Sequence, residues 1–222
     1  MIRRKGRICI IICILCFHFL SQSVFSQENE DGLIQHILSR LIVDELIVAD
    51  FNSGIKPNNI GGDFGTWDYD PNDDTQSCRM EFSHLDSKRS DRGYSIKLQY
   101  DVQSPNPAFN GFWMKLEGID ISVYNLLRFW VKGDKESNFT SRFKVELKNA
   151  LGNRAVYFVK GISDEWSEVV IDFKKTRAIE DWTTMSEFTI VFSDLVSTYK
   201  EGVIYLDDIS FLHVKEGNED TL

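Results

Sequence analysis

Apolar and polar residues alternate with period two along most of this chain, in short stretches bounded by Gly, Asn, Asp and Pro. The pattern predicts strands over residues 46–51, 78–82, 94–102, 111–116, 126–132, 142–148, 155–160, 167–173, 187–192 and 203–212. Aromatic and β-branched side chains fill them, as a pleated, half-buried surface favours. Residues 33–41 depart from the rule: Leu33, Ile34, Ile37, Leu38 and Leu41 fall at helical spacing and predict one short helix. Short strands with no helix between most of them exclude a βαβ arrangement. They predict an all-β antiparallel fold, a two-sheet β-sandwich or a barrel. Two connections, residues 52–74 and 103–110, are longer than hairpins need, and long ordered loops often carry function. No repeat or second boundary interrupts residues 45–214; residues 27–44 are a lead-in holding the helix, and residues 215–222 a polar tail.

Alternation also sorts the two faces of each strand. Residues 126–132 put Leu127, Phe129 and Val131 in one row and Arg128, Trp130 and Lys132 in the other. In residues 142–148, Phe143, Val145 and Leu147 oppose Lys144, Glu146 and Lys148. Residues 94–102 set Ile96, Leu98 and Tyr100 against Lys97, Gln99 and Asp101, and the minority face of residues 155–160 holds Tyr157. If these strands share a sheet, its wet face presents Trp130 and Tyr157 among Arg128, Gln99, Asp101, Glu146 and Lys144. A sugar ring has an apolar C–H face and a hydroxyl rim, so flat aromatics flanked by amides and charges compose a candidate glycan platform. The competing expectation is a charged sheet surface with both rings packed under a loop.

The N-terminus changes the setting. Arg3, Arg4, Lys5 and Arg7 precede an apolar run over residues 8–20, and Val24 and Ser26 are placed for cleavage before Gln27. That is the pattern of a secretory signal peptide over residues 1–26. The run is short for a bilayer-spanning helix, which needs about 20 residues, although a retained N-terminal anchor stays open as the alternative. A lipoprotein site is disfavoured, because Cys13 and Cys16 follow Ile and Leu rather than a small residue. The expected location is secreted or periplasmic. Cleavage would remove Cys9, Cys13 and Cys16 and leave Cys78, so no internal disulfide forms and stability must come from the core or a metal. Four of the 25 basic residues and none of the 34 acidic ones lie in the leader, leaving 21 against 34 and a net charge of −13. An acidic surface without a basic stripe excludes nucleic acid and anionic membranes as partners. It suits neutral sugars, soluble proteins and calcium.

Five stretches together resemble a known group: Ile47-Val-Ala-Asp-Phe-Asn-Ser-Gly54, Asn59-Ile-Gly-Gly-Asp-Phe-Gly-Thr-Trp67, Phe129-Trp-Val-Lys-Gly133, Glu165-Trp-Ser-Glu-Val-Val-Ile171 and Val203-Ile-Tyr-Leu-Asp-Asp-Ile-Ser-Phe211. In this order, over roughly residues 45–213, they resemble the galactose-binding-like jelly rolls of carbohydrate-binding modules and of the complex I intermediate-associated domain. The resemblance implies a jelly-roll sandwich whose first and last strands are neighbours, and a glycan bound along a concave sheet face. It also implies a structural calcium (Ca) held by Asp50, Asn52, Asp207 and Asp208, since calcium takes six to eight hard oxygens. A second acidic cluster, Asp68, Asp70, Asp73 and Asp74, lacks the glycine and distal glutamate of an EF-hand loop and reads as a solvated turn.

The remaining aromatics divide by context. Trp166 resembles the family's packing tryptophan, and Trp182 is expected to plug one end of the sandwich. Trp67 with Tyr69 either folds over an edge or rims the binding cleft, where Asn106, Phe109 and Asn110 would join it. Trp113 alternates between Phe112 and Met114 and is left open to either side. Signals for catalysis are missing from the sequence. Glycoside hydrolysis needs two carboxylates at a fixed separation, and no dense Glu-x-Asp-x-x-Glu strand is present. His36, His84 and His213 are isolated, and neither a zinc signature, a Gly-x-Ser-x-Gly elbow nor a phosphate loop appears. The sequence therefore predicts an exported non-catalytic domain whose partner is a poly- or oligosaccharide. The alternatives are a scaffold domain that binds another exported protein and a small glycoside hydrolase.

Overall fold

Backbone pairing in the computed structural model, which describes residues 42–84 and 93–215, builds eleven strands. They are β1 (Ile42–Ala49), β2 (Phe64–Asp68), β3 (Ser77–Ser83), β4 (Ser95–Asp101), β5 (Phe109–Ile119), β6 (Leu126–Gly133), β7 (Arg142–Asn149), β8 (Arg154–Lys160), β9 (Ser167–Asp172), β10 (Met185–Ser193) and β11 (Glu201–Val214). The expected signal peptide over residues 1–26, the predicted helix over residues 33–41, His36 and residues 216–222 lie outside the described residues. Every strand expected from the sequence is present, with ends moved by a few residues. β2 is additional and falls inside the long connection over residues 52–74. Its inward row is Phe64, Thr66 and Asp68, two of them polar, and its outward row sets Gly65 beside Trp67, so no period-two signal survives.

Residues Asp44–Val214 form one compact unit. One sheet has the order β3-β4-β11-β6-β9, with β1 also paired to β11; the other has the order β2-β5-β10-β7-β8. The ladders β11–β4, β11–β6, β5–β10 and β10–β7 are antiparallel. This is the two-sheet antiparallel sandwich that the sequence predicts.

The inward rows fill the space between the sheets. Phe112, Met114, Leu127, Phe129, Val131, Phe143, Val145, Leu147, Phe188, Ile190 and Phe192 are wholly buried. Tyr100 stacks on Phe192 with ring centroids 4.1 Å apart, and Phe129 meets Phe188 edge-on at 6.1 Å. Such pairs add about 0.5–1.5 kcal/mol each beyond the area they bury. Aromatic packing thus stabilises a sandwich whose Cys78 is a free, buried thiol. Burial pushes that thiol up, so it stays neutral and unreactive. One irregularity marks β11: its register with β6 shifts between Asp207 and Ser210, and Asp208 sits at φ 48°. Asp is among the few residue types that enter the left-handed region readily, as a bulge of this kind requires.

Candidate functional site

The outward rows of the second sheet converge on an open groove of about 450 Å³. Register fixes its make-up. Trp113 of β5 lies opposite Thr189 of β10, which lies opposite Glu146 of β7. One step along each strand pair, Lys115 faces Glu187, which faces Lys148. Thr189 and Val191 make the floor, 2% and 3% exposed beneath their longer neighbours.

The aromatic half depends on two glycines. Gly65 is the cross-strand partner of Trp113, and Gly111 that of Trp67. A Cβ on Gly65 would come 3.2 Å from Trp113 Cζ2, and one on Gly111 would collide with the Ile190 carbonyl at 1.9 Å. With no side chain at Gly65, the Trp113 indole lies across β2, where its Nε1 donates to Thr66 O at 3.2 Å. Lys115 Nζ stands 5.3 Å from the Trp113 ring centroid. Trp67 meets Phe109 edge-on at 5.8 Å, and Phe109 lies 4.1 Å from Tyr69. Trp67, Phe109 and Trp113 thus line one end of the groove, and Tyr69, 56% exposed, extends the row outward.

The charged half is tied together. Glu187 accepts from Lys115 Nζ and Lys148 Nζ, both at 2.7 Å, and from Thr189 Oγ1 at 3.2 Å. Burial alone would raise its carboxyl, but the hydrogen bonds from the two lysines outweigh it and hold the group below its ordinary value of 4.5. Glu146, 6% exposed, accepts from Arg154 at 3.2 Å. Glu187 is therefore held ionised, the opposite of what a general acid needs. The groove is equipped to stack on a ring and to hydrogen-bond a polar rim.

Of the residues predicted to bind ligand, Trp67, Lys144 and Glu146 line this groove. Arg128, Trp130, Gln99 and Asp101 do not, because β4 and β6 belong to the first sheet whereas β7 and β8 belong to the second. The single platform assumed from alternation is therefore divided between two sheets. Trp130 does face outward, on the first sheet, opposite Asp207 and Glu168. Arg128 beside it bonds Glu45 and approaches Glu168 at 3.7 Å. Gln99 and Asp101 join Arg79 and Lys97 around a smaller depression of about 380 Å³ that has no exposed aromatic ring. Tyr157 is turned inward between Ala155 and Val159, packs against the core, and donates to Phe173 O at 2.8 Å. Alternation misled there because Val156 and Phe158, the outward row of β8, are as apolar as the inward one; they are 39% and 60% exposed.

Trp113 is a groove residue that the sequence left undecided. Trp166 lies outside the core, half-buried, with Lys132 Nζ 5.7 Å from its ring, so the packing role implied by resemblance is corrected. Trp182 is 7% exposed and packs 4.9 Å from Phe173, as an end plug should. Phe109 joins the groove, but Asn110 is fully buried and donates to Asp101 O at 2.6 Å, so it is no rim residue. Asn106 donates to Asp73 at 3.2 Å.

The acidic positions have structural partners. Asp50 Oδ1 accepts from Asn52 N at 3.1 Å just past β1, and the expected pairing of first and last strands is present. Asp207 and Asp208 are 2% and 6% exposed, and Asp207 Oδ1 accepts the Asp208 N–H at 2.8 Å. Among the described residues no group of three or more His, Cys, Asp or Glu side chains is arranged to hold a metal ion. In the second cluster, Asp70 closes a turn onto Asn72 and Asp68 accepts the Cys78 N–H at 2.6 Å. Asp73 is held well below the usual carboxylate range by hydrogen bonds from Thr75, Gln76 and Asn106.

No family model matches the chain, and no curated protein matches its sequence. Solved structures do match. The family 11 carbohydrate-binding module of the cellulosomal cellulase Lic26A-Cel5E of Clostridium thermocellum superposes with a TM-score of 0.56 at 15% identity, covering 80% of this chain and 99% of that one. A family 11 module from the same organism, in complex with a β-1,3-1,4-mixed-linked tetrasaccharide, gives 0.56 at 16% identity over 78% and 98%. An exo-β-agarase gives 0.53 at 11% identity over 80% of this chain but 25% of its own. At such identities the likeness is one of fold. The chain has the β-sandwich of the carbohydrate-binding modules, in keeping with the expected jelly roll.

Proposed function

We propose that this chain is an exported, non-catalytic carbohydrate-binding domain that holds a glycan across the outer face of the second sheet. The observation that carries the proposal is the groove itself, where Trp67 and Trp113 share one open surface with Lys144, Glu146, Lys148, Arg154 and Glu187. Indole faces stack on the C–H faces of sugar rings, and the charged groups hydrogen-bond the hydroxyl rim. The Trp113–Thr66 bond and the two lysines on Glu187 hold these groups in place before a ligand arrives, which limits the ordering cost of binding. The shared sandwich supports the same conclusion, and the basic-then-apolar pattern of residues 1–20 supports export. A structural calcium at Asp50, Asn52, Asp207 and Asp208 is a separable part of the proposal, supported by the adjacency of β1 and β11.

A glycan array probed with the full chain tests the function, and alanine at Trp67 and Trp113 tests the site. Burying a large apolar side chain fully is worth about 1.5–3 kcal/mol. A sugar covers roughly one face of the indole, so each loss should cost about half of that, roughly four- to tenfold in affinity. A folded Trp67→Ala/Trp113→Ala double variant that binds as the wild type does would move the site elsewhere. Wild-type protein that retains no glycan would end the proposal.

A further inference from the structure

We infer that the groove selects an acidic glycan, one carrying carboxylate or sulfate groups, with Lys144 as the residue that reads the charge. The inference rests on the glycan-binding function proposed above and adds the ligand's chemical class.

The charges around the groove do not balance. Four cations line it, Lys115, Lys144, Lys148 and Arg154, against two carboxylates, Glu146 and Glu187. Both carboxylates are already engaged. Glu187 is shared by Lys115 and Lys148, and Glu146 is bonded to Arg154. What remains is two units of positive charge, one spread over the Lys115–Glu187–Lys148 trio and one on Lys144. Among the described residues Lys144 has no ion-pair partner. Its cross-strand neighbours are Val191 on β10 and Phe158 on β8, neither of which can compensate it. It is half-buried, between an apolar floor and an exposed phenyl ring. Holding an uncompensated ammonium in such a place costs free energy that an incoming anion would recover.

The setting sharpens the inference. The whole chain carries a net charge of −9. Salt screens that charge beyond the Debye length of about 8 Å at physiological ionic strength, so it offers a polyanion no long-range attraction and repels it only on close approach. Generic adhesion of acidic polymers is not expected, so attraction must come from contact inside the groove. A neutral glycan can stack on Trp67 and Trp113 but leaves the surplus charge unanswered. A ring bearing a carboxylate or sulfate answers it, and the neighbouring indoles fix where that group must sit.

The test titrates the full-length protein calorimetrically with two matched pairs: polygalacturonate against its methyl ester, and a sulfated galactan against its desulfated form. The charged member of at least one pair should bind roughly tenfold tighter or more, as expected for a charge-assisted hydrogen bond. Which pair responds tells carboxylate from sulfate. Lys144→Gln should remove most of that preference, weakening the charged member far more than the neutral one. Lys135→Gln, on an exposed loop and paired with Asp164, should change neither. Equal affinity within both pairs would overturn the inference and leave glycan binding standing. A preference that survives Lys144→Gln in a folded protein would overturn the assignment to that residue. Binding to no glycan, charged or neutral, would instead refute the function on which the inference rests.

Discussion

Replacing Glu187 with Gln keeps the shape of the groove's central side chain and removes its charge. The carboxylate sits 2.7 Å from each of two ammonium groups and is 16% exposed, while Lys115 and Lys148 are 47% and 36% exposed. Breaking a buried ion pair costs about 3–5 kcal/mol, and an exposed pair is worth about 0–1 kcal/mol. This trio lies between those limits, so the loss should be about 2 kcal/mol. At about 2–4 °C per kcal/mol for a domain of this size, Tm should fall by roughly 4–8 °C at pH 7. The pH dependence has a definite sign. Glu187 is held below its ordinary 4.5 in the folded state, so its contribution is complete above that value and drains away as pH falls through the lower folded value. Differential scanning calorimetry of both proteins from pH 7 to pH 3 should show a constant gap down to about pH 5 that narrows below about 4.5. Equal melting temperatures at pH 7, or a gap that persists undiminished to pH 3, would refute the reasoning.

Trp130→Ala and Tyr157→Phe should leave glycan affinity unchanged, since one residue lies on the first sheet and the other faces the interior. Tyr157→Phe should still lower stability by about 1 kcal/mol through its lost bond to Phe173 O; impaired retention of glycan by either folded variant would return the site to those residues. If calcium is held by Asp50, Asn52, Asp207 and Asp208, EGTA should lower Tm by several degrees and added calcium, but not magnesium, should restore it. A melt that ignores chelation would remove the ion from these positions.

Much of the sandwich was legible because most strands separate greasy and wet rows sharply. Phe143, Val145 and Leu147 against Lys144, Glu146 and Lys148 is such a case, and the structure places each row as alternation demands. Where the rows were chemically alike, alternation lost its power. β8 offers Ala155, Tyr157 and Val159 against Val156 and Phe158, and the tyrosine was assigned to the wrong side. β2 was missed because Gly65 and an inward Asp68 erase the pattern, yet that strand carries Trp67. Half of the site was thus visible as residues but not as a place. Sheet membership depends on which strands pair across long loops, and no local spacing in the chain reports whether β6 or β10 lies beside β7. A partial clue existed: Gly65 and Gly111 stand two residues from Trp67 and Trp113 respectively, the spacing at which small and flat residues alternate on neighbouring strands.

The position of β11 has a kinetic consequence. β11 is hydrogen-bonded to β4, β6 and β1, so it joins pieces of the first sheet that otherwise have no common neighbour. Until residues 201–214 arrive, β4 has only β3 beside it and β6 only β9. During synthesis from the N-terminus β4 and β6 therefore keep unpaired edges until β11 has emerged. Contacts this distant in sequence also make for slow folding. Such a chain is vulnerable to aggregation in the interval before closure and gains cooperativity in one late step.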